Sequence, residues 1–176
     1  FTKNLTLIMN KKPYILGICA ANSGCGKTYV IERLIPALKK RGYSVSAIKH
    51  AHHNFDIDKP GKDSFKIREA GAKQTLIFND ARSALITESD EKKFDLDNAL
   101  EQINQQIDII LVEGLKTMKI PKIEIYREKI SNETLYKKDN NIIGVISDIN
   151  INYDIPCFDF INLDKVTEFI IKQLKK

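Results

Sequence analysis

One short stretch of the sequence has the residue types and spacing of a phosphate-binding site. It reads Ala21-Asn22-Ser23-Gly24-Cys25-Gly26-Lys27-Thr28, between an apolar run and a segment with helical periodicity. Such a turn directs backbone N–H groups and the positive N-terminus of the next helix at phosphate oxygens. Lys27 then contacts the β- and γ-phosphates with a catalytic role, and Thr28 ligates Mg²⁺. The predicted nucleotide-binding residues here are Ser23, Gly24, Cys25, Gly26, Lys27, Thr28 and Tyr29.

The stretch departs from the usual phosphate-loop pattern at one position. The pattern G-x-x-x-x-G-K-[ST] begins with glycine, where this chain has Ala21. A methyl group there restricts the backbone. Because Gly24 and Gly26 remain, we expect the loop to bind phosphate despite the alanine.

An acidic ligand for Mg²⁺ is predicted in the run from Asp108 to Gly114. Its four consecutive apolar residues favour a parallel strand that is buried on both faces. Ligands bind at the carboxyl ends of the strands in such sheets, which favours Glu113 over Asp108. We predict that Glu113 holds Mg²⁺ with a catalytic role and that Gly114 lets the backbone approach phosphate. Asp108 is expected to have a structural role.

A polar loop follows the second predicted strand and is therefore expected to face the nucleotide. It contains His50, His52, His53, Asp56 and Asp63. We predict that His50, His52 and Asp63 contact phosphate or substrate and that Asp56 assists at Mg²⁺. The three histidines are weak support for a dedicated metal site, because no cluster of cysteine or glutamate accompanies them.

Base selection is predicted at the carboxyl end of another strand, where Asp148 follows the apolar residues 142–146. A carboxylate there accepts hydrogen bonds from N1–H and the amino group of guanine, which favours GTP. Asp159, Asn162 and Asp164 are alternatives that spacing cannot rank.

These residues require a framework of alternating strands and helices. The first strand, a helix over residues 28–41 that contains Pro36, and a strand over 44–49 make a βαβ unit, which implies a parallel sheet. Asp63 is expected to cap a short helix, and residues 75–78 and 83–87 to form an antiparallel hairpin. A helix capped by Asp95 or Asp97 is expected to reach Ile107, and a half-exposed strand is predicted over 122–126. A surface excursion over 128–141, a strand over 155–160 and a closing helix complete the predicted elements. The sequence therefore predicts a three-layer α/β P-loop NTPase fold, with a mostly parallel central sheet, an antiparallel hairpin and helices on both faces.

Composition indicates one domain that binds an anion. The net charge of +5 suits an anionic partner, but aromatic residues are 8% and tryptophan is absent, so nucleic acid binding ranks last. Three scattered cysteines favour a reducing, cytoplasmic compartment, and no apolar stretch approaches the ~20 residues of a membrane span. Residues 1–8 are expected to be an added remnant or to result from a start site that was assigned too early. Residues 9–176 are then expected to form a single nucleotide-binding domain.

Several segments closely resemble the MobB family, the molybdopterin-guanine dinucleotide biosynthesis protein B family. The segments are Ile48-Lys49-His50, His52-His53, Asp56-Ile57-Asp58-Lys59-Pro60-Gly61-Lys62-Asp63-Ser64, Ala70-Gly71-Ala72, Gln74-Thr75, Leu111-Val112-Glu113-Gly114-Leu115-Lys116 and Pro121-Lys122-Ile123-Glu124. In this resemblance residues 24–28 match the phosphate loop and Glu113 matches the acidic strand end.

The resemblance implies a protein that binds GTP and Mg²⁺, is often a homodimer and hydrolyses GTP slowly. It also implies an accessory role beside MobA, the guanylyltransferase that attaches GMP to molybdenum-bound molybdopterin, so molybdopterin is the expected bound substrate. Fast hydrolysis often needs a supplied arginine, for which Arg68 and Arg82 are candidates. The alternative function is a nucleotide-dependent kinase or ligase of the dethiobiotin synthetase type, a family that also couples a P-loop to a strand-end Val-Glu-Gly.

Overall fold

The computed structural model describes residues 12–51, 53–89, 94–103, 106–149 and 154–175. The chain divides into two compact units, residues 1–50 with 103–176 and residues 51–102. The expected remnant, residues 1–8, and His52 lie outside the described residues. The single domain over residues 9–176 stays a prediction.

Eight strands and four helices make up the described chain. In chain order they are β1 (Tyr14–Cys19), α1 (Lys27–Lys40), β2 (Val45–Lys49), α2 (Asp63–Glu69), β3 (Gln74–Phe78), β4 (Ser83–Thr87), α3 (Leu96–Glu101), β5 (Ile109–Glu113), β6 (Lys122–Tyr126), β7 (Ile142–Ser147), β8 (Cys157–Asp159) and α4 (Leu163–Leu174). None of these helices is long and apolar enough to cross a membrane.

The first unit is organised around a six-stranded sheet with the order β2-β5-β1-β6-β7-β8. Every neighbouring pair of strands in it is parallel. The four apolar residues of β5 are buried, as expected for a strand covered on both faces. The carboxyl ends of parallel strands meet at one edge, so the ends of β1, β2 and β5 lie side by side there. The predicted mostly parallel α/β fold is confirmed.

Two helices of the first unit pack against each other and against the sheet. The apolar side of α1 buries Val30, Ile31, Leu34 and Leu38 in the core, and Pro36 lies inside the helix. The helix ends at Lys40 with Arg41 at the C-cap, and the following Gly42 has φ 87°. Lys39 and Lys40 occupy the last turn, where cations are favoured by the helix dipole.

The second unit contains the antiparallel hairpin of β3 and β4 that the sequence predicts. Two boundaries were predicted wrongly. Asp63 is the first residue of α2, with Lys62 at the N-cap and no side-chain capping bond, so Asp63 is not the cap. Helix α3 ends at Glu101 rather than at Ile107, although its predicted cap is correct, since Asp95 accepts a 3.0 Å hydrogen bond from Asn98 N.

The prediction for β6 was wrong, because this strand is buried and not half-exposed. Its two charged residues, Lys122 and Glu124, are fully buried. Glu124 accepts hydrogen bonds from Leu135 N at 2.7 Å and Tyr136 N at 2.9 Å. Burial raises the pKa of Glu124 and these two bonds partly oppose that shift. The alternation of β6 therefore reflects charged groups that hold adjoining loops, not a face in water.

Candidate functional site

The phosphate loop, residues 20–26, joins β1 to the N-terminus of α1. Gly26 stands at the N-cap with φ 97° and Gly24 has φ 76°, values that a residue with a side chain adopts only with strain. Among the described residues, Leu115 is the one non-glycine residue with positive φ. Ala21 is therefore outside the left-handed region, which explains why alanine is accepted at the first position of the pattern.

Two predicted Mg²⁺ ligands meet at the carboxyl edge of the sheet. The Thr28 hydroxyl, in the first turn of α1, lies 3.2 Å from each carboxylate oxygen of Glu113, the last residue of β5. The two residues are 85 positions apart in the sequence. They are brought together because β1, which leads into the phosphate loop, pairs directly with β5.

This pair fits a magnesium ion chemically. Mg²⁺ prefers oxygen ligands and is usually held by one or two protein groups together with substrate phosphates and water. A hydroxyl and a carboxylate 3.2 Å apart can both ligate one ion beside the phosphate loop. The predicted roles of Thr28 and Glu113 are thus compatible with their positions.

Residues at the end of β2 complete this edge. Lys49 pairs with Glu113 in the register of the sheet, and its ammonium lies 3.7 Å from Glu113 Oε1. His50 N donates to Glu113 O at 3.1 Å. Gly114 has φ 94°, and a Cβ added there would come within 3.6 Å of the His50 side chain. Sequence reasoning missed Lys49 because strand order, which places β2 beside β5, is not readable from local pattern.

The predicted excursion after β6 contacts the phosphate loop. Asn132 N donates to Asn22 Oδ1 at 3.3 Å, and Ser131 Oγ lies 3.5 Å from Cys25 Sγ. Cys25 is fully buried, so its thiol faces the protein and its predicted phosphate contact must come from the backbone N–H. Sequence reasoning treated this excursion as surface and missed both contacts.

A second cluster extends from the phosphate loop toward Asp148. A Cβ added at Gly26 would lie 3.5 Å from the Phe160 ring, and the guanidinium of Arg127 lies 4.8 Å from the centre of that ring. Asp148 accepts hydrogen bonds from Arg127 Nε at 3.3 Å and Glu128 N at 3.0 Å. Burial raises the pKa of Asp148, but these bonds outweigh it and hold the pKa below its ordinary value. Asp148 is therefore an ionised acceptor connected to the phosphate loop through an aromatic ring.

The alternatives to Asp148 have other contacts. Asp159 accepts hydrogen bonds from Ile161 N at 2.9 Å and Asn162 N at 2.5 Å, which close a turn. Asp164 forms a 3.1 Å ion pair with Arg41. The ring centres of Tyr29 and Phe160 are 6.5 Å apart, and the guanidinium of Arg33 lies over the Tyr29 ring. Asp148 is itself bonded to Arg127 and Glu128 N, so the choice of the base-selecting residue stays a prediction.

The remaining predicted residues belong to the second unit. Asp56 pairs at 2.9 Å with Arg68, which also donates to Asp58 at 3.1 Å and to Glu88 at 3.2 Å. Asp63 lies 3.9 Å from Lys66 on the surface of α2. A ligand role for Asp56 or Asp63 stays a prediction.

Comparisons with known proteins agree on one family. The model of the molybdopterin guanine dinucleotide synthesis protein B (MobB) family matches residues 15–148. The chain is 40% identical over 161 residues to the molybdopterin-guanine dinucleotide biosynthesis adapter protein of Escherichia coli K12, covering 89% of this chain and 91% of that protein. It is 38% identical over 165 residues to the protein of that name in Haemophilus influenzae, covering 93% and 91%. A crystal structure of molybdopterin-guanine biosynthesis protein B superposes with a TM-score of 0.73 at 26% identity, covering 90% of this chain and 99% of that one.

Proposed function

This chain belongs to the MobB family, and we propose that it is a GTP-binding adapter in the biosynthesis of molybdopterin guanine dinucleotide. The observation that carries the nucleotide half of the proposal is the contact of Thr28 with Glu113 beside a phosphate loop with glycines at its two left-handed positions. The pathway half rests on the relatives, whose names describe adapters in that biosynthesis.

In the proposed complex, residues 23–29 bind the phosphates of GTP through backbone N–H groups, the N-terminus of α1 and the ammonium of Lys27. Thr28 and Glu113 hold Mg²⁺, which neutralises charge on the β- and γ-phosphates when it is bound. The ammonium of Lys49 lies 3.7 Å from Glu113 Oε1, so a second cation faces the phosphates from this edge of the sheet. Asp148 accepts hydrogen bonds from N1–H and the amino group of guanine, a pair of donors that adenine does not offer.

We propose that hydrolysis is slow and that binding is the main event. Fast phosphoryl transfer needs a residue that orients water and often an arginine that stabilises the developing charge. Arg68 is engaged by the carboxylates of Asp56, Asp58 and Glu88, which supports the view that it is not held ready for a phosphate. Rapid GTP turnover by the isolated protein would contradict this part of the proposal.

The partners in this proposal are a MobA-type guanylyltransferase, molybdopterin or its molybdenum-bound form, and a second copy of this chain in a cytoplasmic homodimer. The decisive experiment is reconstitution. Purified protein is added to MobA, GTP, Mg²⁺ and molybdenum-loaded molybdopterin, and formation of the dinucleotide cofactor is measured. Formation should rise with the parent protein and not with Lys27→Ala.

Nucleotide binding is tested separately by titration with GTP and ATP, with and without Mg²⁺. Lys27→Ala should abolish binding, whereas Lys39→Ala, at the other end of α1, should not. Binding that survives Lys27→Ala or shows no guanine preference would overturn the nucleotide half. Stoichiometric phosphorylation of a small acid would favour the kinase or ligase alternative.

A further inference from the structure

A second lysine reaches the phosphate loop from the segment that follows Glu113. Lys116 Nζ donates a 3.4 Å hydrogen bond to Ala21 O at the start of the loop, although the two residues are 95 positions apart. Lys116 follows the predicted Mg²⁺ ligand by three residues and is exposed. Its ammonium therefore lies at the start of the predicted phosphate loop.

The backbone that carries Lys116 is held in place by a fully buried residue, Lys122. The Lys122 ammonium donates to Lys116 O at 2.8 Å, to Met118 O at 2.6 Å and to the carboxylate of Asp139. All three of its N–H donors are thus used, and two of them fix the loop from residue 116 to residue 118. Such charge-assisted bonds are the strong ones in a dry interior.

The turn before Lys116 is also unusual. Gly114 has φ 94° and Leu115 has φ 50°, so two successive residues adopt left-handed backbone immediately after Glu113. For a residue such as leucine this conformation is strained and persists only where the surroundings impose it. Here the Lys122 contacts supply that constraint, and the strained turn directs Lys116 back toward Ala21.

Lys116 is not held by a carboxylate at salt-bridge distance in the described part of the chain, although the charge of Glu133 acts on it from farther away. Neither Lys116 nor Lys27 forms a salt bridge among the described residues, whereas Glu113 pairs with Lys49 and Glu133 pairs with Lys138. The single Ala21 carbonyl leaves Lys116 with donors for another acceptor. A flexible ammonium with spare donors beside a phosphate loop is suited to an incoming phosphate oxygen.

We propose that Lys116 is a second phosphate-binding cation, which acts with Lys27 on the terminal phosphate of the bound nucleoside triphosphate, and that Lys122 is the residue that positions it. This inference rests on the proposed nucleotide function and adds a residue to that site. The terminal phosphate is the target because Lys116 follows the predicted Mg²⁺ ligand Glu113 by three residues, and Mg²⁺ held there would neutralise charge on the β- and γ-phosphates. A diphosphate lacks the group that Lys116 contacts.

The test compares GTP and GDP affinities by titration in Mg²⁺. Lys116→Met should weaken GTP binding about tenfold, the size expected for a lost charge-assisted hydrogen bond, and GDP binding by less than about threefold. Lys116→Arg should restore most of the GTP affinity. Lys119→Met, which removes a lysine from the same loop, is the matched control and should behave like the parent protein.

Asp139→Asn tests the positioning role of Lys122. It removes the charge of a carboxylate that binds the Lys122 ammonium, and it leaves the Lys116 side chain itself unaltered. It should lower the ratio of GTP to GDP affinity about threefold, a change that a general loss of stability does not produce. An unchanged ratio in this variant would overturn the positioning role.

The outcomes separate the two proposals. If Lys27→Ala leaves GTP binding intact, the nucleotide function itself is wrong. If Lys27→Ala abolishes binding while Lys116→Met matches Lys119→Met, the function stands and the role of Lys116 is overturned.

Discussion

The Thr28 hydroxyl lies at the same distance, 3.2 Å, from both carboxylate oxygens of Glu113. The hydrogen bond joins the first turn of α1 to the end of β5, so the phosphate loop and the acidic strand end are already aligned. The two side chains predicted to hold Mg²⁺ are therefore in contact with each other in this structure.

The first prediction concerns that pair. Thr28→Ala should reduce the gain in GTP affinity on adding Mg²⁺ about tenfold, since it removes one metal ligand and a hydrogen bond worth about 1 kcal/mol. Titrations with and without Mg²⁺ measure the gain. Thr28→Ser keeps the hydroxyl and should retain the gain in GTP affinity. An equal loss of this gain in Thr28→Ala and Thr28→Ser would contradict the metal-binding role of the hydroxyl.

The second prediction concerns the alanine at the start of the phosphate loop. Because Ala21 does not adopt a left-handed backbone, Ala21→Gly should leave GTP affinity within about twofold of the parent. It should lower the free energy of unfolding by about 0.4–1 kcal/mol, because glycine gives the unfolded chain more freedom. Titration and denaturant unfolding measure the two effects. A large rise in affinity would show that the alanine does restrain the loop.

The third prediction concerns the packing of β1 against β6. A Cβ added at Gly17 would come within 2.7 Å of Lys122 Cγ, in the middle of the sheet where both strands are fixed. Gly17→Ala should therefore lower the free energy of unfolding by about 1–3 kcal/mol, as overpacked cores do. Denaturant unfolding measures this, and a variant as stable as the parent would show that Lys122 can move aside.

The fourth prediction concerns pH. The hydrogen bond from Lys122 is the largest cause that holds the pKa of Asp139 below its ordinary value of 3.8. A lowered carboxyl pKa stabilises the folded state above the ordinary pKa, and this stabilisation is lost as the pH falls through the folded pKa. At neutral pH Asp139→Asn should be less stable by about 2 kcal/mol.

That difference between parent and variant should begin to shrink below about pH 4, where the carboxyl of the unfolded chain takes up a proton, and should shrink further as the pH falls through the lowered pKa of the folded state. Unfolding curves from pH 7 to pH 3 measure it. A difference that stays constant over this range would contradict the assignment of Asp139 as the ionised partner.

The fifth prediction concerns base selection. Asp148→Ala should lower the preference for GTP over ATP about tenfold, because guanine loses a charged acceptor, while the affinity for inorganic triphosphate should not change. Competition titrations measure the preference. Glu168→Ala, which removes a carboxylate that pairs with Arg41, is the control. A preference unchanged in Asp148→Ala would return the choice to Asp159, Asn162 or Asp164.

The strongest local signals in the sequence predicted the fold. The apolar run of β5 and the glycine pattern before Lys27 indicate a buried parallel strand and a phosphate loop. The buried strand and a turn with left-handed glycines before α1 are confirmed, and phosphate binding stays a prediction. These signals work because burial and turn geometry act on neighbouring residues, which a single sequence displays.

The strand β6 shows where such signals fail. Its alternation of charged and apolar residues is typical of a strand with one wet face, yet Lys122 and Glu124 are fully buried. The groups that satisfy them lie in loops as far as 17 residues away, such as Asp139, and no local period records that pairing. The contact of Lys116 with Ala21 was missed for the same reason, since it joins two loops that only the finished sheet brings together.

The burial of Glu124 has a consequence for the dynamics of the nucleotide site. The amide protons of Leu135 and Tyr136 are donated to this carboxylate, and β6 lies between β1 and β7 in the interior of the sheet. These amides can exchange with solvent only when their hydrogen bonds to a buried carboxylate open, so we expect strong protection from hydrogen exchange at Leu135 and Tyr136. The segment that touches Asn22 and Cys25 is therefore anchored before any ligand arrives. Preorganisation of this kind lowers the entropy lost on binding, so the phosphate loop receives its ligand at little conformational cost.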